Sequence, residues 1–413
     1  RDLYFLANPT FAPQATGVTL TGVVKPLLWD PSTGAERHIA PSRVVEGTTR
    51  FHLYLPPVGS AFVTTTDAAG PRIVETNIVV DSVTDGTVVG HARGGEGYVM
   101  LEQGEHRDRV VISAPDASEP IELDGEWAFS TEGPNALVIG EWLASTDASG
   151  DLSESQAAAE INPADWIRMV PGAWSYQLPT EPCRPYPLDA WYRVSFQVVD
   201  LPARLDLIAD GWAGASWTLL VNGRPVTTEA VRSPIDSQMK AIDITDLARH
   251  GENVIALRLS LTGPTDGLLD LVKLTGDFSL VQREGGGHAI AASRRAVDPG
   301  PWTAQGYPFL SGVATYRRGF RLPDHLAGQR VELEASLADD VLEVLINGRS
   351  AGVRLWPPYS LDITDSLRPG ENEVELRVAN TPANLLNAVE RPSGLTGPPR
   401  LVPYRHYRFE VPS

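Results

Sequence analysis

The sequence contains a single cysteine, Cys183, among 413 residues, so no disulfide can form within the chain. Basic residues are also scarce: 34 lysines and arginines stand against 52 aspartates and glutamates, which gives a net charge of −18. This balance argues against a nucleic-acid phosphate partner and is compatible with neutral ligands. No apolar run approaches the roughly 18 residues that a membrane span needs. The sequence therefore predicts neither a nucleic-acid partner nor a membrane partner.

The usual hydrolase motifs are missing as well. There is no Gly-x-Ser-x-Gly elbow and no His-Glu-x-x-His helix, and the histidines are scattered without the spacing of metal ligands. Strand and helix patterns do not alternate, which excludes a (β/α)8 barrel within this chain. With 52 acidic residues, sequence alone cannot single out the carboxylate pair of a glycosidase. We therefore assign no catalytic residue.

The chain does contain apolar residues that alternate with a period of two, separated by Gly, Pro, Asn and Asp. Val194, Phe196 and Val198 are one example, and Val374, Leu376 and Val378 are another. This pattern is typical of antiparallel strands with one buried face. The predicted fold class is all-β, built from β-sandwiches.

Four short motifs occur twice, about 120 residues apart and in the same order. Collinear repetition of this kind indicates a duplicated domain. The paired segments are 192–196 and 316–320, 221–224 and 346–349, 243–246 and 362–365, and 251–253 and 370–372.

We predict four segments. A compact β domain covers 1–66, a strand-rich connecting segment covers 67–115, and the two copies of the repeat cover 116–284 and 297–413. The glycine-rich stretch 284–288 is predicted to be a flexible linker between the copies.

The first copy resembles the sugar-binding jelly-roll domain of glycoside hydrolase family 2. The resemblance lies in the segments 123–129, 170–174 and 191–196, followed by the Asn-Gly-Arg turn and the Asp-Ile-Thr-Asp segment. It covers most of 120–260 and again 302–380. The segments 4–9, 28–34, 51–55 and 60–63, together with 302–309 and 393–398, are similar to the region after the catalytic barrel in glycoside hydrolase family 106, the α-L-rhamnosidases.

The resemblance implies tandem galactose-binding-like jelly rolls preceded by a smaller β domain. It also implies an upstream catalytic barrel that carries the acid and base glutamates, so we expect this chain to be a fragment or processed product. The expected function is non-catalytic binding of rhamnose-containing glycans in an extracellular or periplasmic enzyme. Two alternatives stay open: a stand-alone lectin-like protein and a purely structural β-sandwich module.

Sugar binding needs aromatic faces for C–H groups and amides or guanidinium groups for hydroxyls. Turn-rich loops of the second copy supply such residues, and their amides could instead satisfy loop backbone. Four other tryptophans, Trp127, Trp174, Trp191 and Trp217, are predicted to lie in the core. The predicted sugar-binding residues are Trp302, Gln305, Tyr307, Trp356, Tyr359, Asn380, Asn384, Asn387 and Arg391.

The repeated motifs themselves have structural interpretations. Asn222 and Asn347 are predicted to form type I′ hairpin turns with the following glycines, and sugar contact is the alternative. Asp243 and Asp362 are predicted to cap short helical turns. No cofactor is required, but a structural calcium ion is left open, because galactose-binding-like sandwiches often hold one and carboxylates are its ligands.

Overall fold

The structure, a computed structural model, describes residues 1–31, 33–67, 70–84, 86–146, 160–178, 186–209, 211–233 and 235–411. Cys183 lies outside these residues. Strand accounts for 55% of the structure and helix for 6%, which confirms the predicted all-β class. No helix in the described part is long and apolar enough to cross a membrane.

Helical segments in the described residues are single turns that lie between strands. The α-helical turn is α1 (Ala383–Leu386). The 3-10 turns are Pro163–Asp165, Trp174–Tyr176, Thr245–Leu247, Trp302–Gln305, Asp324–Leu326 and Thr364–Ser366.

The chain folds into two compact units. Unit 1 comprises residues 1–125, 316–378 and 395–413, and unit 2 comprises 126–315 and 379–394. This division into units does not test the four predicted segment boundaries, which remain predictions.

Unit 1 begins with two small antiparallel sheets, ordered β1-β7-β3-β4 and β2-β6-β5. In β6, Phe51, Leu53 and Leu55 are buried while His52 and Tyr54 between them are not, as a period of two requires. The strands are β1 (Leu3–Ala7), β2 (Gln14–Thr21), β3 (Val24–Trp29), β4 (Glu36–His38), β5 (Ser42–Val45), β6 (Thr48–Leu55) and β7 (Ser60–Asp67).

The next strands of unit 1 contain a long hairpin, formed by the last two members of the sheet β8-β11-β12, in which Val99 and Leu101 of β11 are buried. Its turn connects Gln103 to His106. The strands are β8 (Arg72–Thr76), β9 (Val79–Thr84), β10 (Thr87–Ala92), β11 (Gly95–Gln103), β12 (His106–Ala114) and β13 (Ile121–Glu122).

Unit 2 contains the first copy of the repeat. Its strands are β14 (Trp127–Glu132), β15 (Asn135–Ile139), β16 (Trp142–Thr146), β17 (Ile167–Met169), β18 (Leu188–Val198), β19 (Asp206–Ala209), β20 (Trp212–Ala213), β21 (Ser216–Val221), β22 (Arg224–Pro225), β23 (Val231–Arg232), β24 (Lys240–Asp243), β25 (Gly251–Leu261), β26 (Gly267–Leu268), β27 (Val272–Gly276), β28 (Ser279–Gln282), β29 (His288–Ala291) and β30 (Ala296–Val297).

Two sheets of unit 2 enclose its main core. One is ordered β17-β16-β18-β25-β21-β22 and the other β15-β27-β19-β24-β23. The first of them also contains β28 and β29, of which β29 pairs with β18 in parallel. Leu219, Val221, Leu257 and Leu274 are among the fully buried core residues. This arrangement is a β-sandwich, as predicted.

The prediction of a flexible linker at 284–288 is wrong. Residues 283–287 form the turn of the hairpin between β28 and β29, in which the Arg283 N–H donates to Gly287 O at 3.0 Å. Consecutive glycines suit a tight turn as well as a flexible linker, so composition alone does not distinguish the two.

Unit 1 is completed by strands of the second copy, in the sheets β31-β36-β33-β34 and β35-β32-β37-β10-β9. Alternate residues of β33 (Leu342, Val344 and Ile346) are fully buried. The strands are β31 (Val313–Leu322), β32 (Arg330–Glu334), β33 (Val341–Ile346), β34 (Arg349–Arg354), β35 (Ser360–Asp362), β36 (Gly370–Ala379) and β37 (Arg400–Glu410).

The two Asn-Gly turns have the predicted geometry. Asn222 and Asn347 have φ values of 53° and 52°, and both following glycines also have positive φ. Each asparagine donates its amide N–H to the side-chain oxygen of a second asparagine, Asn253 at 2.8 Å and Asn372 at 2.9 Å. The turn amides are therefore used inside the fold, and not for the alternative of sugar contact.

The Asp-Ile-Thr-Asp segments also match their structural interpretation. Asp243 Oδ1 accepts the Thr245 N–H at 2.9 Å, and Asp362 Oδ1 accepts the Thr364 N–H at 3.0 Å. Each pair opens a 3-10 turn, which confirms the predicted capping role. Among the described residues, no group of three or more His, Cys, Asp or Glu side chains is arranged to hold a metal ion.

Candidate functional site

Four of the predicted sugar-binding residues are buried. Trp302, Tyr307, Tyr359 and Asn384 are each less than a tenth exposed. The Asn384 amide donates to Arg391 O at 2.9 Å and accepts the Arg391 N–H at 3.2 Å, so it holds its own loop closed. A buried ring cannot offer its face to a sugar. Contrary to the prediction, the structure gives these four side chains packing roles.

Two predicted amides are half-buried and bonded to backbone. Gln305 Oε1 accepts the Asp298 N–H at 2.9 Å. Asn380 Oδ1 accepts the Gly312 N–H at 2.9 Å, and its Nδ2 donates to Leu310 O at the same distance. These bonds match the alternative interpretation, in which the amides satisfy loop backbone.

Three predicted residues are exposed. Trp356, 49% exposed, lies between β34 and β35 in unit 1 and adjoins Leu355, which is also exposed. Asn387 and Arg391 follow α1 in unit 2. These three remain predicted sugar contacts.

The tryptophans that we predicted to lie in the core do not all do so. Trp127, Trp174 and Trp191 are fully buried, as predicted, but Trp217 is 39% exposed. Trp217 is the second residue of β21, and the buried residues of this strand begin only at Leu219. The apolar alternation in the sequence therefore starts before the strand reaches the core. The core prediction for Trp217 is wrong.

The exposed Trp217 forms a pair with Trp212, which is half-buried and packs against the core of unit 2. Their ring centroids are 5.3 Å apart and the ring planes make an angle of 53°. Trp217 is held opposite Leu259 of β25, and Trp212 opposite Leu268 of β26. We call Trp212 and Trp217 the tryptophan platform.

The turn between the two rings is fixed by β25. The Ala215 N–H donates to Ser260 O at 2.8 Å. A Cβ atom on Gly214 would lie 2.8 Å from the same oxygen, so only glycine allows the turn to approach this closely. The turn thereby brings the two rings together.

A buried layer supports the platform. The Trp174 ring packs edge-on against the Tyr192 ring, with centroids 5.6 Å apart. The backbone N–H of Trp174 donates to Asp266 O at 2.8 Å. The Tyr192 hydroxyl accepts the Leu268 N–H at 3.4 Å, and burial raises the pKa of this hydroxyl well above its usual value. The support is therefore fixed before any ligand binds.

The second copy repeats this support. The backbone N–H of Trp302 donates to Ser393 O at 3.0 Å, as the backbone N–H of Trp174 does to Asp266 O. The burial of Trp302 follows from this equivalence, since Trp302 is the counterpart of a core tryptophan and not a surface residue.

The platform itself is not repeated. Leu342 and Leu337 stand the same distances before the second Asn-Gly turn as Trp217 and Trp212 do before the first. Leu342 is fully buried, and Leu337 forms a bridge with Leu395 as Trp212 pairs with Leu268. One scaffold therefore carries two leucines in the second copy and, in the first, an aromatic pair whose Trp217 ring is exposed.

The chemistry of the platform suits a sugar. An exposed indole offers a flat apolar face to axial C–H groups, and a second ring at an angle forms a wall beside it. A sequence signal for the pair existed in Gly211 and Gly214, because glycines beside Trp212 and between the two tryptophans indicate a turn.

Comparison with known proteins gives limited matches. No protein-family model matches the sequence. A stretch of 95 residues is 30% identical to a protein of Formosa agariphila named "Putative beta-glucuronidase" and covers 22% of this chain and 8% of that protein.

Two solved structures are similar at low identity. A rhamnosidase from Novosphingobium sp. PP1Y is 20% identical with a TM-score of 0.37, over 97% of this chain and 23% of that one. A β-glucuronidase from Bifidobacterium dentium is 13% identical with a TM-score of 0.30, over 60% of this chain and 43% of that one. At these TM-scores the likenesses give no evidence about function. The chain covers less than half the length of each of these three proteins. The sequence match to the Formosa agariphila protein supports a glycoside-hydrolase-like β region.

Proposed function

We propose that this chain is a non-catalytic carbohydrate-binding and scaffolding region of an α-L-rhamnosidase-like glycoside hydrolase that acts on rhamnose-containing glycans. The observation that carries the proposal is the pair of Trp212 and Trp217, in which Trp217 is 39% exposed although the second copy buries Leu342 at the equivalent position. The sequence match to a glycoside hydrolase relative supports the sugar-related part.

Rhamnose suits the platform in its chemistry. It is a 6-deoxy sugar, so one face of the ring and the methyl group are apolar and can stack on the Trp217 indole. Trp212, tilted at 53°, closes one side of the ring. Stacking of this kind gives affinity without requiring a catalytic carboxylate pair.

The rest of the chain serves as scaffold in this proposal. Its sandwiches would buttress an upstream catalytic barrel of the same protein, outside the cell or in the periplasm. Trp356, Asn387 and Arg391 are proposed as secondary glycan contacts.

The test is Trp217→Leu, because the second copy shows that leucine fits this position of the scaffold. Loss of the ring face should weaken binding to a rhamnose-containing oligosaccharide about tenfold or more, as expected for an aromatic anchor. Affinity is measured by isothermal titration calorimetry. Tyr54→Ala removes an exposed aromatic of unit 1 and serves as the control with unchanged affinity.

Trp356→Ala provides the comparison between the two loci. A smaller loss from this variant than from Trp217→Leu supports the platform. A larger loss, or unchanged affinity in Trp217→Leu, would contradict the assignment of the platform as the main site.

A further inference from the structure

Two acidic residues, Asp266 and Asp270, lie on either side of β26, the strand that pairs with β20 of the tryptophan platform. Asp266 immediately precedes Gly267, which pairs with Ala213 of β20. The Asp270 N–H donates to Gly211 O at 3.2 Å, one residue before Trp212. Both acidic residues therefore lie on the loop that pairs with the platform strand.

The Asp266 carboxylate is held in its ionised form. Its Oδ2 accepts the N–H and the hydroxyl of Thr262 at 2.6 and 2.8 Å, and the Gly263 N–H at 3.1 Å. The backbone hydrogen bond from Thr262 is the largest cause that lowers the pKa of Asp266. Asp270 Oδ1 likewise accepts the Leu271 N–H at 2.7 Å.

No cation balances these charges within the described loops around the platform. Residues 172–178, 211–217 and 262–271 contain two carboxylates and neither lysine, arginine nor histidine. In the second copy, where leucines replace the tryptophans, Ser393 occupies the place of Asp266. The acidic residue Asp266 thus occurs in the copy that carries the aromatic pair.

We propose that the platform selects uncharged sugar residues and disfavours uronic acids. The inference rests on the proposed function, since it concerns the same site and names the charge class of its ligand. A carboxylate on a stacked sugar would be repelled by Asp266 and Asp270, whereas a neutral sugar can donate hydrogen bonds to them at no such cost. Specificity here comes from repulsion of the wrong ligand.

The experiment compares rhamnogalacturonan oligosaccharides with the same oligosaccharides after chemical reduction of their carboxyl groups. The two probes share sugar order and linkages and differ in charge. At low ionic strength the reduced probe should bind about three- to tenfold more tightly, and added salt should narrow the difference. Asp266→Asn with Asp270→Asn keeps the hydrogen-bond acceptors and should bring the two affinities together.

Each outcome decides a different claim. Binding of neither probe would contradict the proposed function. Equal binding of both, or tighter binding of the charged probe, would overturn the charge selectivity while leaving the proposed function intact. If the double asparagine variant still binds the reduced probe more tightly, other groups cause the preference, and the inference is overturned.

Discussion

Gly267 shows how one residue without a side chain positions the candidate site. Its φ is 145°, and a Cβ atom there would lie 3.0 Å from Trp174 N and 3.1 Å from the Tyr192 hydroxyl. The position combines a backbone conformation that favours glycine with close packing on the layer beneath the tryptophan platform.

We expect Gly267→Ala to destabilise the protein by about 2 kcal/mol, because strain and close contact add at this position. Displacement of the loop should also weaken sugar binding. Urea denaturation and calorimetric titration measure the two effects. Gly285→Ala is the matched control, since a Cβ there meets no atom within 4 Å. Equal stability of the two variants would contradict this account.

Asn253 has a structural role of similar weight. It is fully buried, donates to Arg249 O and Gly251 O at 2.7 and 3.0 Å, and accepts from Asn222 at 2.8 Å. Asn253→Ala removes the hydrogen bonds to Arg249 O, Gly251 O and the Asn222 side chain, so the free energy of unfolding should fall by about 2 kcal/mol.

The exposed Asn387 supplies the control for that measurement. Asn387→Ala should leave the unfolding midpoint in urea unchanged. An unchanged midpoint in Asn253→Ala as well would show that the asparagine pair contributes little to stability.

At the residue scale, local chemistry was the most predictable part of the molecule. The turns at Asn222 and Asn347 and the caps at Asp243 and Asp362 follow from short-range hydrogen bonding, which a sequence records directly. Whether a side chain is exposed depends on which distant strands pack over it, and a short motif does not record that. That is why Trp302 proved to be buried and Trp217 exposed, although both are tryptophans near turns.

At the scale of elements, β9, β10 and β32 of unit 1 are joined by a charged cluster. His91 Nδ1 lies 2.9 Å from both carboxylate oxygens of Asp81, and Arg330 Nη1 lies 3.3 Å from one of them. Arg330 also contacts Glu332 at 2.8 Å. The cluster links strands that are more than 200 residues apart in sequence, and no pattern in the sequence predicted it.

This cluster predicts an acid-dependent loss of stability. Burial alone would raise the pKa of Asp81, but the hydrogen bond and charge of His91 and the charges of Arg330 and His406 together lower it. A lowered folded-state pKa gives stability that is complete above the unfolded value of 3.8 and is lost as the pH falls through the folded value.

Asp81→Asn tests the linkage. The variant should be less stable than the wild type at pH 7, and the difference should shrink as the pH falls below about 4. Thermal unfolding at a series of pH values measures it. A difference that stays constant with pH would rule out ionised Asp81 as the cause.

The alternation of apolar residues predicted strands well, but it did not predict which strands pair when they are distant in sequence. β37 joins β10 and β32, and the predicted linker became a hairpin turn. Pairing depends on register and on contacts between distant segments, which a local period of two does not encode.

On the scale of the whole molecule, the duplication explains both the common scaffold and the difference in function that we propose. The two copies share turns, caps and a buried tryptophan, and they differ at the two positions that form the tryptophan platform. In the first copy these are Trp212 and Trp217, and in the second Leu337 and Leu342. Duplication allowed one copy to specialise while the other kept a packing role.

The proposal that the chain is non-catalytic gives a direct prediction. The purified chain should release no nitrophenol from an aryl α-L-rhamnoside above the level of an unrelated control protein. Turnover at an enzyme's rate would place an active site within these sandwiches and contradict the proposed division between catalytic barrel and accessory region.

The most direct test of the central claim is a crystal structure of the chain soaked with a rhamnose-containing oligosaccharide. We predict a sugar ring stacked on Trp217 and bordered by Trp212. A sugar bound elsewhere, for example at Trp356, with the platform empty at saturating concentration, would contradict the claim.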